Sequence, residues 1–207
     1  MRFNLISGLL CLAFVVSTIA NSALGQSGNT ISIKQIEAYA KSIDQMTKRR
    51  KEPDLVIADV SDYDTEKPEW RKFKSTKELE AFREKTETYT VAYNWRTNSK
   101  IVSSVFTVFS PSGDWAQYVT HYFRPDGSAA KVNTEMRTFN GDYIIIREYY
   151  FDSRGKLLKK TAKYLDLTTK KPKKPTAEML DENSDFFKAD YYKKVSVLPY
   201  YSLTKST

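Results

Sequence analysis

From Thr88 onward the chain alternates. Tyr89, Val91, Tyr93 and Trp95 interleave with Thr88, Thr90, Ala92 and Asn94. A period of two marks a strand with one apolar face. Similar runs follow at 100–110, 115–124, 128–139, 142–152 and 156–167. Short polar segments separate them, among them Pro125-Asp126-Gly127, Asn140-Gly141 and Ser153-Arg154-Gly155. Asn-Gly and Asp-Gly are strong hairpin signals, because the tight turns that join antiparallel strands need positive φ.

Gly113, Gly127, Gly141 and Gly155 follow one another at intervals of fourteen residues. In a meander, equal spacing means strands of equal length. Subtracting the turn leaves about 10–12 residues per strand, at or beyond the usual range of roughly 3–10. Strands this long twist and coil, which predicts a curved or partly closed sheet.

The turns also set a register. A turn at Asn140-Gly141 pairs Met136 with Ile145, Thr134 with Arg147, Val132 with Tyr149 and Ala130 with Phe151. A turn at Asp126-Gly127 pairs Ala130 with Phe123, Val132 with His121, Thr134 with Val119 and Met136 with Gln117. Both place Ala130, Val132 and Met136 on one inner face, and a one-residue slip would destroy that agreement. Lys131, Asn133, Glu135 and Arg137 take the outer face, where cross-strand charge pairing is expected for Glu135 and Glu148.

Ahead of the meander the period is helical. In Ile31 to Arg50, the residues Ile33, Ile36, Tyr39 or Ala40, Ile43 and Met46 or Thr47 recur at three- and four-residue steps. Basic residues crowd the end of this segment, where they suit the helix dipole, and Pro53 stops it. This helix is the natural cover for part of the inner face. Leu55 to Ala58 reads as a short buried strand, and Ser75 with Glu78 opens a short helix with a capping-box pattern. After the meander, a Pro/Lys linker leads to an aromatic, basic tail that closes part of the sheet's core.

The domain boundaries follow from these zones: a signal peptide at 1–25, the helix at 26–53, a transitional segment at 54–87, the meander at 88–168, and the linker and tail at 169–207. Residues 26–207 read as one domain of the α+β class, with about six meander strands. The leader has Arg2, then an apolar run from Leu5 to Ile19, then small residues. That run is too short for the roughly 20 residues of a spanning helix, so no transmembrane segment is expected after its removal.

Composition narrows the chemistry. Cys11 is the sole cysteine and lies in the leader. The mature chain therefore has no disulfide, no thiol nucleophile and no cysteine-ligated metal. An exported domain without disulfides points to the bacterial periplasm or exterior. The formal charge of +8 favours acidic partners such as an anionic envelope surface, and export argues against nucleic acid.

His121 is the single histidine. The register turns it toward the face that carries Thr134, Arg147 and Tyr149, with Gln117 along its own strand. These five form the candidate ligand site. No G-x-S-x-G elbow and no phosphate-binding glycine loop is present. Asp62-x-Asp64-x-Glu66 starts like a calcium loop, but Lys67 takes the glycine position and Phe73 that of the bidentate acid. No catalytic residue, metal or cofactor is expected. The reading is a non-catalytic binding or carrier module for a small ligand, a lipid or other apolar molecule. The alternatives are a protein that binds anionic envelope components and a carboxylate-based hydrolase.

Overall fold

The computed structural model describes residues 32–205 except 64, 182, 183, 185 and 186. The leader expected at 1–25, Asp64 and Phe186 lie outside the described residues. Helix α1 (Ile33–Arg50) starts at a capping box. The Gln35 N–H donates to Ser32 Oγ at 3.3 Å, and the Ser32 N–H donates to Gln35 Oε1 at 2.8 Å. Lys48, Arg49 and Arg50 occupy its last turn. Strands β1 (Leu55–Asp59) and β2 (Trp70–Phe73) come next, then helix α2 (Thr76–Arg83). The long strands are β3 (Thr90–Thr97), β4 (Lys100–Phe109), β5 (Trp115–Phe123), β6 (Ala129–Thr138), β7 (Tyr143–Phe151) and β8 (Leu157–Asp166). A single-turn helix α3 (Ala177–Leu180) and two 3₁₀ turns, Val195–Val197 and Tyr201–Thr204, lie in the C-terminal segment.

The eight strands form one antiparallel sheet in the order β2-β1-β3-β4-β5-β6-β7-β8. Six long strands in a meander are present as the alternation indicates, but β1 and β2 extend the sheet beyond it. Trp70–Phe73 has four residues and no clear alternation, so its strand character comes from pairing with β1. The fold is mostly β with some helix. The sheet is open, which corrects the expectation of partial closure. Closure would require β2 to pair with β8. The short β2 instead ends the sheet with exposed Arg71 and Lys72, residues that discourage further pairing.

The register agrees with the turn-based one over most of the meander. His121 pairs with Val132, Val119 with Thr134 and Gln117 with Met136. Val132 pairs with Tyr149, Thr134 with Arg147 and Met136 with Ile145. One end departs from it. A bulge sits at Tyr122/Phe123, and Phe123 pairs with Ala129 rather than Ala130. Ala130 is thereby turned to the opposite face, where it packs with Ile36 and Tyr150.

The two faces carry different covers, and this reverses the expectation for α1. The helix packs Ala40 and Ile43 against Val102 and Tyr122, and Ile36 against Ala130 and Tyr150. These belong to the face with Lys131 and Glu148, not to the face with His121. The pull is partly electrostatic. Lys131 Nζ lies 3.0 Å from Glu37 of α1 and 2.8 Å from Glu148 of β7. Tyr150 donates to Glu37, and Tyr122 donates to Asp44 at 2.9 Å. A buried ammonium needs such partners, and α1 carries them on its sheet-facing side. Glu135 pairs with Arg137 at 2.7 Å on the same face. Helix α2 covers the β1–β3 end of this face through Leu79 and Phe82.

The glycine ruler has a backbone cause. Gly113, Gly127, Gly141 and Gly155 all have φ between +70° and +82°. A side chain there costs roughly 1–2 kcal/mol from the backbone alone. At Gly141 a Cβ would also meet the Tyr143 ring at 3.1 Å, whereas at Gly113 it would meet nothing. Gly141→Ala is therefore expected to destabilise the protein more than Gly113→Ala, by about 1 kcal/mol beyond the shared backbone cost. Urea unfolding of the two variants checks the order.

Candidate functional site

The face opposite α1 is covered by the chain's own C-terminal segment: Met179 and a strap that runs from Phe187 to Thr204. Its underside meets a row of polar side chains. Asn94, Ser104 and His121 are direct cross-strand neighbours on β3, β4 and β5. All three have no solvent exposure. Tyr200 of the strap inserts its hydroxyl between two of them. It donates to Asn94 Oδ1 at 2.8 Å, so the 2.7 Å contact with Ser104 Oγ is donated by the serine. Burial raises the Tyr200 pKa, which keeps that hydroxyl a donor.

His121 is held from both sides. The Tyr192 backbone N–H donates to Nε2 at 2.9 Å, and Nδ1 lies 3.3 Å from the Ser104 carbonyl. A backbone N–H can only donate and a carbonyl can only accept. The ring is therefore neutral, with its proton on Nδ1. It stacks on Phe123 at 5.4 Å and meets the edge of Phe106 at 5.6 Å.

The other residues singled out in the sequence serve the same strap. Arg147 Nη2 donates to the Met179 carbonyl at 3.0 Å, and its Nη1 donates to that of Phe187. Gln117 Nε2 donates to the Lys188 carbonyl at 3.2 Å. Tyr149 packs on the Tyr191 ring with centroids 4.7 Å apart. Thr134 is buried between Val119 and Arg147 in the register. The five residues thus share one face, but Gln117, His121, Arg147 and Tyr149 are engaged by Met179, Phe187, Lys188, Tyr191 and Tyr192 of the same chain. Backbone bonds continue the attachment. Ala129 N donates to Lys193 O and Val195 N to Gly127 O, both at 2.9 Å.

Asn94 and Ser104 escaped the sequence reading, which took Tyr200 only as one of the tail aromatics that close the core. Asn94 falls on the side of β3 that looks polar, with Thr88, Thr90 and Ala92, and so reads as solvent-facing. In fact Ala92 and Asn94 face the strap, while Val91 and Tyr93 face α2. Two covered faces leave no polar side, and a signal based on alternation cannot choose between them. The acidic stretch 59–69 has a structural use instead. Asp59 Oδ1 accepts from Ser61 N, Ser61 Oγ and Glu69 N, which organises the β1–β2 connection.

Two clefts flank the strap, at opposite ends of the strands. One, of about 500 Å³, is walled by Trp70, Phe106, Trp115, Val119, Met136 and Tyr192. Exposed Lys188 and Asp190 of the strap border it. The Trp70 indole N–H is buried without a partner among the described residues. The other cleft, of about 900 Å³, lies where β3 turns into β4 and β5 into β6. Among the described residues, no three His, Cys, Asp or Glu side chains are grouped to hold a metal ion, and no helix is long and apolar enough to cross a membrane.

No protein-family model, curated protein or solved structure matches the chain. What the site can do rests on its geometry.

The buried histidine gives a pH dependence. Desolvation lowers its pKa from 6.5 to about 4, opposed only by the Ser104 carbonyl. Between those values the unfolded chain binds a proton that the folded chain does not, so stability rises with pH across the window. The contribution is complete above pH 6.5 and is lost as pH falls toward 4. A shift of this size is worth about 3 kcal/mol. His121→Phe keeps the ring packing and removes the titration. Its stability is expected to fall less steeply than that of the parent between these pH values, as read by urea unfolding at a series of pH.

Proposed function

We propose that the protein is an exported, non-catalytic binding module that takes a small apolar or aromatic ligand. Export rests on the leader, with Arg2 ahead of an apolar run and small residues after it. The observation that carries the ligand class is the aromatic cleft beside the strap. Trp70, Phe106, Trp115 and Tyr192 supply flat apolar walls around about 500 Å³, within the size range of small-molecule pockets.

This moves the site from where the sequence suggested it. The concave face around His121, Arg147 and Tyr149 already holds the strap, so the open space beside the strap is the better candidate. A non-catalytic reading is favoured by the state of the lone histidine. Both ring nitrogens are committed to backbone groups, and its low pKa leaves it a poor base.

The neutral fluorophore N-phenyl-1-naphthylamine is a suitable probe. It is expected to bind with increased emission and to quench the tryptophans. Trp115→Ala removes one wall from a half-buried position and is expected to weaken binding about tenfold, equivalent to about 1.4 kcal/mol. Leu158→Ala, on the exposed side of β8, leaves it unchanged. No saturable binding, or equal affinity in Trp115→Ala, counts against the proposal.

A further inference from the structure

The second cleft differs in kind from the first. Its walls carry Arg96, Lys100, Arg124, Lys194 and Lys205, against one acid, Asp126. Among the described residues none of the five cations forms an ion pair. Arg124 is buried, and its guanidinium donates to uncharged oxygens. Nη1 reaches the Ala129 carbonyl and Nη2 the Phe151 carbonyl, each at 2.6 Å. Lys100 Nζ donates to the Pro125 carbonyl at 2.9 Å. Arg96 donates from Nη2 to the Thr204 carbonyl, and its Nε is buried without a partner. Lys205 sits over the Tyr201 ring at 4.7 Å.

Asp126, with Asp152 outside the cleft lining, favours the charged form of Arg124 without forming an ion pair with it, so the acids offset the group only in part. Asp126 Oδ1 accepts from Ser128 N at 2.9 Å and Ser128 Oγ at 2.7 Å, which ties it into its own turn. Asp54, the nearest acid to the Arg96 backbone, is paired with Arg50 at 2.8 Å. Carbonyl dipoles satisfy the hydrogen-bonding needs of a guanidinium but leave its charge uncompensated. Five cations around a half-enclosed space focus a positive potential into it, and an anion entering there offsets their mutual repulsion.

We propose that this basic cleft is a binding site for a phosphate monoester, distinct from the aromatic cleft and independent of the ligand assigned to it. Arg96 and Arg124 place two guanidinium charges on the wall of the cleft, a charge type suited to phosphate. Lys100, Lys194 and Lys205 are exposed and lie on its rim. The space of about 900 Å³ is far larger than a phosphate alone, and Ile101 and Val195 on its wall accept the organic remainder. A soluble phosphate ester and a phosphatidic acid headgroup present the same chemistry.

The test measures glycerol 3-phosphate binding by calorimetry and vesicle binding by cosedimentation, comparing phosphatidic acid–containing with pure phosphatidylcholine vesicles. Two charge-matched double variants of the full chain are compared. Lys194→Gln with Lys205→Gln removes two exposed cations from the cleft. Lys163→Gln with Lys171→Gln removes two exposed cations elsewhere. The cleft variant is expected to bind about tenfold more weakly, and the remote variant like the parent. Loss seen with glycerol 3-phosphate assigns a soluble ester, and loss seen only with phosphatidic acid vesicles assigns a lipid headgroup. Lys100→Gln repeats the comparison if the cleft variant has an altered circular dichroism spectrum. Binding of neither probe, or equal weakening in the cleft and remote variants, overturns the proposal.

Discussion

Three adjacent strands bring Asn94, Ser104 and His121 side by side with no access to water, and the rest of the face is arranged around satisfying them. A buried polar group without a partner costs about 1–3 kcal/mol. Several such groups together would remove a large part of a domain's net stability, typically about 5–15 kcal/mol. The sheet supplies only the Ser104 carbonyl for His121 Nδ1 and the Ala92 carbonyl for Asn94 Nδ2, and another element must satisfy the remaining groups. The strap does so, with the Tyr200 hydroxyl for Asn94 and Ser104 and the Tyr192 N–H for His121. The strap therefore does more than add apolar cover. Its polar contacts fix its position along the sheet, because a shift by one residue would leave the row unpaired.

The opposite face solves a similar problem with charge. Lys131 lies deep under α1, and Glu37 and Glu148 approach it from helix and strand. Glu148 is further held by Thr161, whose hydroxyl donates to it at 3.0 Å. The carboxylate pKa falls despite the opposing effect of burial, because these partners favour the charged form. Each cover of the sheet is thus registered by a polar device set within an apolar contact. The device on the α1 face is ionic and partly exposed. The one on the strap face is neutral and dry.

The limits of what was legible in the sequence have the same origin. Local rules govern the elements they describe: Ser32 and Gln35 start α1, the glycines with positive φ end the long strands, and the Asn140-Gly141 turn sets the β6–β7 register. Gln117, His121, Thr134, Arg147 and Tyr149 could be placed on a common face for that reason. Which element covers that face is a long-range choice. It depends on Lys131 seeking Glu37, 94 residues away, and on Tyr200 seeking Asn94, 106 residues away. Periodicity carries no information about partners at that separation. The bulge that turns Ala130 to the α1 face is equally silent, because Ala129 and Ala130 are the same residue to a pattern.

A polar cluster on a sheet face suggests a ligand pocket, and here the face is covered by the chain itself. The consequence for function is that the two clefts described above lie beside the strap rather than beneath it. Tyr192 walls the aromatic cleft and Lys194 the basic one. Between them, the His121 contact at Tyr192 and the Ala129 contact at Lys193 clamp the strap to the sheet. Both clefts therefore take one wall from the sheet and the other from the strap, on either side of this anchor point. The buried row that stabilises the fold also sets the width of both spaces. A substitution at His121 would be felt at both clefts, although the residue itself touches no solvent.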